Sequence, residues 1–225
     1  MESVQPESTV NITAKSEQSR KRLLDAAEAL FAEKGYEKTT VREITESAKC
    51  NVASINYHFK NKDNLYKEVY VRRVRQLREA RISAIEQVMS RGRDATLDDL
   101  IRCYAHSFLE PVEDTRTGQA IMMLMTRELN EPRLPKELFF EEMVSPVQEQ
   151  LEKAFQTFYP GINRQWIALS IQAIVGQLLH FIRRRDLHQA HPRLPAPPEM
   201  RLMIEHLTRF SSAGIRGFAE KEFGE

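Results

Sequence analysis

The chain has 225 residues, of which 41% are hydrophobic and 29% charged, and its formal net charge is +1. This composition is typical of a globular protein with a sizeable core, and it excludes collagen, wholesale disorder and a disulfide-stapled scaffold. The two cysteines, Cys50 and Cys103, cannot form such a scaffold and do not have the spacing of a zinc site. The near-neutral charge argues against indiscriminate binding to polyanions.

The amino-terminal residues predict a cytoplasmic protein with reduced thiols. Residues 1–19 are polar and lack the apolar stretch of a signal peptide. No apolar run approaches 18 residues, so neither a membrane span nor a membrane partner is predicted. Positive charge is concentrated early, because residues 15–75 carry 14 Lys or Arg and 9 Asp or Glu, whereas residues 76–225 carry 19 and 21. This excess is weak evidence for a local anionic partner.

Helical periodicity dominates the first third of the chain, and strand signals are nearly absent. The first predicted helix covers Glu17–Lys34, and Gly35 is expected to end it. Thr40 and Glu43 have the spacing of a capping box, which opens a second short helix. The helices predicted after the first are Val41–Ala48, Val52–His58 and Lys62–Ser90. Residues 1–15 are predicted to be a disordered tail.

The remainder of the chain predicts five more helices, separated by proline and glycine breaks. They cover residues 96–110, 117–129, 136–158, 164–183 and 199–219. Pro111 is expected to end the first of these helices, and Pro146 to kink or divide the third. A proline-rich connection, residues 186–198, precedes the last helix. The predicted fold class is therefore all-α.

The two short helices behind the first long one have the layout of a helix-turn-helix. Apolar residues such as Ile44, Ile55 and Phe59 are predicted to face inward. The outward positions are small or polar, which would let the second short helix enter a major groove and hydrogen-bond base edges; they are Asn51, Val52, Ala53, Ser54, Asn56 and Tyr57. His58 and Lys62 follow where a phosphate backbone would lie, and a helix beginning at Lys62 adds its own N–H groups.

Two segments of this region resemble the DNA-binding domain of TetR/AcrR-type repressors. They read AEKGYEKTTVREI at residues 32–44 and VASINYHFKNKDNLY at residues 52–66, within a resemblance that covers about residues 18–66. The later segments GQLLHF and IEHLTRF are more loosely similar to the C-terminal domain of the CecR-like branch. Lys49 stands where the family usually has glycine, and Cys50 where it has an aliphatic residue, so the turn is expected to differ slightly.

The resemblance implies an all-helical homodimer that regulates transcription. Residues 16–62 would form the helix-turn-helix DNA-binding domain, and residues 63–225 a domain that binds a ligand and dimerises. Matched by position, the family's phosphate contacts fall on Thr40, Tyr57, His58 and Lys62, and its base-reading surface falls on residues 51–56. The implied partners are a palindromic double-stranded operator and a small-molecule effector that releases the repressor from it.

Two other functions stay open at this level. One is a constitutive DNA-binding dimer without an effector, which the absence of a ligand cavity would favour. The other is a helical enzyme, but the sequence has no glycine-rich phosphate loop, nucleophile elbow or paired-carboxylate motif. No enzyme activity and no cofactor are therefore predicted. His188 and His191 have a spacing that a metal could use, but no cysteine or carboxylate cluster accompanies them, so no metal site is predicted.

Aromatic and methionine residues in the later helices suggest a largely apolar effector cavity. The candidate lining residues are Tyr104, Phe108, Met122, Met125, Phe155, Trp166 and Gln177. Core packing is the alternative explanation for such residues at helical spacing. Helices 164–183 and 199–219 are apolar on more faces than a small monomer can bury, so they are predicted to form a twofold interface. Its candidate residues are Ile174, Leu178, Leu202 and Phe210.

Overall fold

The structure, a computed structural model, describes residues 7–113, 124, 125, 128 and 132–223. These residues are predominantly helical and include no strand, which confirms the predicted fold class. The chain divides into two compact units, one of Met1–Arg73 with Gln119–Lys136 and the other of Val74–Gly118 with Glu137–Glu225. The first unit therefore continues beyond the predicted boundary at residue 62 and takes in a later segment of the chain.

The first unit contains three helices and the start of a fourth: α1 (Glu7–Lys38), α2 (Val41–Ser47), α3 (Ala53–Phe59) and α4 (Lys62–Met89). Helix α1 packs against α2 and α3, and α2 packs against α3. The predicted disordered tail is wrong for residues 7–15, which are helical, while residues 1–6 lie outside the described residues. A helix anchored by a buried face further along can extend into a polar segment, because adding residues to an existing helix costs little.

Gly35 and Thr40 separate α1 from α2 as predicted. Gly35 has φ 78° and ψ 171° and interrupts the helical geometry of α1. This conformation is essentially restricted to glycine. The Thr40 hydroxyl accepts a hydrogen bond from the Glu43 N–H at 3.2 Å, and the Glu43 carboxylate accepts one from the Thr40 N–H at 2.8 Å. These reciprocal bonds complete the capping box that starts α2.

A buried carboxylate joins α1 to α4 within the first unit. The Glu28 side chain is 8% exposed, accepts a hydrogen bond from Arg72 at 2.6 Å and also pairs with Arg73. Arg72 additionally donates to Asp25 at 2.8 Å. Two arginines from one helix thus compensate a carboxylate that would otherwise be costly to bury.

The turn after α2 places Lys49 in a backbone conformation that favours glycine. Lys49 has φ 52°, in the left-handed region. Its N–H donates to the Glu46 carbonyl at 3.2 Å, and the Cys50 N–H donates to the Thr45 carbonyl at 2.9 Å. This pair of bonds is a Schellman motif, in which glycine is preferred at the position of Lys49. Lys49 therefore occupies a left-handed position that is strained for a residue with a Cβ atom.

Replacing Lys49 with glycine is expected to stabilise the protein by about 1 kcal/mol, because glycine has no Cβ to clash in the left-handed conformation. Urea denaturation monitored by circular dichroism measures the change. Lys49→Ala is the matched control, since it removes the same charge but keeps the Cβ. If Lys49→Gly is no more stable than Lys49→Ala, the proposed backbone strain is absent.

The second unit contains the remainder of α4 and a set of helices that pack on one another. They are α5 (Leu97–Glu113), α6 (Lys136–Phe139), α7 (Ser145–Phe158), α8 (Arg164–Ala190) and α9 (Met200–Phe223). A π-helical turn, Phe140–Val144, joins α6 to α7. Helix α9 packs against α5 and α8, and α8 packs against α5 and α7.

Prolines affect these helices less than predicted. Pro111 lies inside α5, which continues to Glu113, so the predicted stop at this residue is wrong. Pro146 occupies the first turn of α7, where a missing N–H costs no helical hydrogen bond, and it divides the predicted helix. Helix α8 continues past residue 183 into the proline-rich region, because the first proline there is Pro192. Of the helix predicted at 117–129, residues 124, 125 and 128 are helical, and the others lie outside the described residues.

Helices α8 and α9 have apolar side chains on both their buried and their exposed faces. Ile174 and Leu178 are buried within the chain itself, so their assignment to a twofold interface is wrong. Several large apolar side chains remain exposed on the two helices, namely Trp166, Leu169, Leu179, Leu187, Leu202, Phe210 and Phe218. Among the described helices, α8 alone is long and apolar enough to cross a membrane by length and composition, a test that the core helix of a soluble protein also passes.

Candidate nucleic-acid interface

Helix α3 is held by two apolar side chains that leave its opposite face in solvent. Ile55 and Phe59 lie one turn apart and are almost completely buried. The Arg20 guanidinium lies 5.4 Å from the centre of the Phe59 ring and covers it from α1. Because both anchors are on one side of α3, the helix orientation in the first unit is well determined, and the other side is presented outward.

The outward face of α3 carries most of the residues predicted to read bases. Tyr57 is 78% exposed and Val52 is 50% exposed. Asn51, Ala53 and Asn56 are also exposed, whereas Ser54 is half-buried. The structure thus places the predicted residues of this surface together, with short side chains around the start of the helix that permit close approach to a groove floor.

Asn51 has a structural role as well as an exposed position. Its Oδ1 accepts a hydrogen bond from the Ala53 N–H at 2.9 Å, which caps the start of α3. Helix α3 begins at Ala53, one residue later than predicted, and ends at Phe59. The Asn51 amide nitrogen is therefore the part of this side chain available to donate to a base edge.

Basic side chains flank α3 at both ends. Lys49 precedes the helix and Lys60 follows it, and both are exposed with positive φ values of 52° and 71°. The His58 ring is half-buried, with its centre 4.8 Å from that of Tyr57. Lys49 is not one of the residues predicted to contact DNA. The sequence feature that marks it is a lysine at a turn position where glycine is preferred.

The predicted phosphate contacts Lys62 and Thr40 are both engaged by neighbouring residues. The Lys62 ammonium lies 4.0 Å from the centre of the Tyr36 ring, and burial lowers the pKa of Lys62. The Tyr36 hydroxyl donates to Asp63 in the first turn of α4. Burial and this hydrogen bond raise the pKa of Tyr36 to about 12. Lys62 is therefore positioned at the start of α4 by a cation–π contact, while Thr40 is exposed and caps α2.

Two segments of the sequence match models of known protein families. Residues 23–69 match the family model described as bacterial regulatory proteins, tetR family, and residues 102–214 match the model described as tetracyclin repressor-like, C-terminal domain. The chain belongs to the TetR family. This TetR-family protein is accordingly a DNA-binding transcriptional regulator and not an enzyme.

Individual relatives resemble the TetR-family chain to different extents. The HTH-type transcriptional dual regulator CecR of Shigella flexneri is 26% identical over 76% of this chain and 78% of its own length. The biofilm operon negative regulator IcaR of Staphylococcus epidermidis is 40% identical, but over only 21% of this chain and 25% of its own length. The structure of SmeT, repressor of a Stenotrophomonas maltophilia multidrug efflux pump, has a TM-score of 0.60 at 22% identity and covers 87% of this chain and 89% of SmeT. SmeT thus shares the fold.

The predicted effector-binding residues of this TetR-family protein do not form one cluster. Tyr104 and Phe155 line a void of about 10 Å³ in the second unit, together with five aliphatic residues. Phe108 is buried with its ring centre 6.0 Å from that of Tyr104. Trp166 lies instead at the surface, 38% exposed and stacked on Phe218 at 4.8 Å.

Neither of the remaining candidates that the structure describes, Gln177 and Met125, lines this void. Gln177 is half-buried and does not line it. Met125 is half-buried and belongs to the segment assigned to the first unit. Met122 lies outside the described residues. A void of this size holds about one water molecule, so a larger ligand requires side chains to move.

Proposed function

We propose that this TetR-family regulator acts in the cytoplasm as a homodimer that places α3 of each protomer in a major groove of a palindromic operator. The observation that carries the proposal is the outward face of α3, where residues 51–54 and 56–57 form a mostly exposed surface of small or polar side chains. Helices that dock in this way read bases with their exposed N-terminal side chains. We assign base reading to residues 51–54 and Asn56, and phosphate contacts to Thr40, Tyr57, His58 and Lys62.

Exposed apolar side chains on α9 support dimerisation through the C-terminal helices. Leu202 and Phe210 are 60% and 64% exposed on α9. Gly214 and Gly217, further along α9, have no atom within 4 Å of the position that a Cβ would occupy, apart from their chain neighbours and the adjacent backbone of α9. Exposed apolar side chains next to open glycines allow a helix of a second protomer to approach closely. Burial of this surface in a twofold interface would remove it from water.

Effector release is the second element of the proposal. A small, largely apolar molecule would bind near Tyr104, Phe108 and Phe155 in the second unit and release the protein from DNA. Side chains of the void must separate to admit it, so the effector would favour a conformation other than the closed one. The small volume of the void is also the observation that favours a constitutive DNA-binding dimer. An operator-bound dimer that no ligand releases would establish that alternative.

Lys62→Met tests the assignment of phosphate contacts. The DNA probe is a duplex that the wild type selects from a random pool. Lys62→Met is expected to weaken binding to it by about tenfold and to lower the salt slope by about one unit per protomer. The slope falls because fewer counterions are released when one phosphate contact is lost. Methionine keeps an apolar stem over Tyr36 while removing the charge. Fluorescence anisotropy over a series of salt concentrations measures both quantities.

Two further variants complete this experiment. Lys153→Met removes an exposed charge from α7 and should leave affinity and salt slope at wild-type values. Asn56→Ala should instead change the sequence preference in a repeated selection, since a base contact is lost. An unchanged salt slope in Lys62→Met would show that the start of α4 does not contact the DNA backbone.

A further inference from the structure

Arg81 is a cation on α4 that has no carboxylate partner among the residues that the structure describes. Its Nε is buried and has no hydrogen-bond partner there. Its Nη1 donates to the Met143 sulfur at 3.9 Å, and a thioether is a weak acceptor. Its guanidinium carbon lies 3.8 Å from the centre of the Phe108 ring. Burial lowers the pKa of Arg81 to about 10, which still leaves it charged at neutral pH.

Two other arginines on α4, unlike Arg81, have a carboxylate partner within the same unit. Arg75 donates to the Glu142 carboxylate at 2.9 and 2.7 Å, and Arg78 donates to it at 3.2 Å. Glu142 lies in the π-helical turn, directly before Met143. The turn therefore presents a carboxylate to Arg75 and Arg78 but a sulfur to Arg81. Such π-helical turns occur often at functional sites.

The surroundings of Arg81 are otherwise apolar and aromatic. Phe108 lies against its guanidinium, and the Tyr104 ring lies 6.0 Å from that of Phe108. Tyr104 also lines the void of about 10 Å³. Arg81 thus connects to the void through Phe108 and Tyr104, and a cation with an unpaired Nε near an incompletely filled apolar core has the elements of a site for an amphipathic anion.

We propose that Arg81 binds the carboxylate of a monoanionic, otherwise apolar effector, whose body occupies an opened form of the void beside Tyr104. This inference rests on the proposed effector response and specifies the chemical class of the ligand. A carboxylate fits because it can accept two parallel hydrogen bonds from one guanidinium. A multiply charged ligand does not fit, since the described surroundings offer one uncompensated cation.

Matched pairs of acids and neutral analogues test the proposal on the full-length protein. The probes are decanoate against decanol and naphthoate against naphthamide, with affinities measured by calorimetry. At least one acid is expected to bind the wild type about tenfold more tightly than its neutral analogue, since a charge-assisted hydrogen bond contributes that much. Arg81→Met should abolish this preference, and Arg81→Lys should keep part of it. Arg102→Met removes an exposed charge from α5 and should keep all of it.

Four outcomes test the proposal. The proposal is overturned if no acid is preferred over its neutral analogue, or if the preference survives in both Arg81→Met and Arg81→Gln. Operator release is measured separately with the same probes. Arg81-dependent binding without release would support the anion site while contradicting the effector response. Release by neutral compounds that is unaffected in Arg81→Met would overturn the anion site and leave the effector response intact.

Discussion

Replacing Leu202 and Phe210 together with aspartate is expected to convert the dimer into monomers and abolish operator binding. Both side chains are more than half exposed on α9 of the single chain, so the substitutions should leave the protomer folded. In a twofold interface each change occurs twice and buries an unpaired carboxylate. We expect the dimer dissociation constant to rise by about a thousandfold, which corresponds to about 4 kcal/mol.

Sedimentation velocity at micromolar concentration distinguishes the two states. Phe140→Asp is the matched control, because Phe140 is 55% exposed but lies in the π-helical turn rather than on α9. The control should remain dimeric and bind DNA normally. Operator binding should fail in the double variant because a single α3 contacts only one half-site. If the double variant sediments as a dimer, the interface does not include Leu202 and Phe210.

Replacing Glu28 with alanine is expected to destabilise the first unit by about 3–5 kcal/mol, because it removes the buried carboxylate that Arg72 and Arg73 share while both guanidinium groups stay mostly buried. The Arg72 and Arg73 side chains are only 23% and 17% exposed, so water can solvate them only in part. For a chain of this size the loss corresponds to a decrease of about 6–20 °C in the melting temperature. DNA binding should weaken, since α1 supports the packing of α3.

Differential scanning calorimetry measures the change, and hydrogen exchange in α1 and the start of α4 localises it to the first unit. Glu46→Ala is the control, because Glu46 pairs with Arg42 on the surface of the same unit. Exposed pairs of this kind contribute less than about 1 kcal/mol. Glu28→Gln should be intermediate, since the amide oxygen can still accept a hydrogen bond. Equal stability of Glu28→Ala and Glu46→Ala would mean that the buried pair contributes nothing.

Local interactions explain which parts of the fold could be predicted. Both the capping box of Thr40 and Glu43 and the interruption at Gly35 depend on residues within a few positions of each other. They can therefore be predicted from the local sequence. The anchors Ile55 and Phe59 follow from helical periodicity, and they determine which face of α3 is exposed. The candidate DNA-binding surface could therefore be predicted with a one-residue error at the start of α3.

The ion pairs could not be predicted, because they join residues that lie far apart in the chain. Glu28 and Arg72 are 44 positions apart, and nothing in either local pattern indicates that they pair. Arg75, Arg78 and Arg81 look alike in the sequence, yet only the position of Glu142 in the π-helical turn separates the compensated pair from the uncompensated third.

The sequence by itself determined the helices, the helix-turn-helix and the surface of α3, because periodicity and capping act over one or two helical turns. Tertiary structure alone decided how α8 and α9 are rotated about their axes. A helix that is apolar on several faces can bury any of them, and packing against α5 and α7 selects one. That selection buries Ile174 and Leu178 in the protomer and leaves Trp166, Leu202 and Phe210 exposed.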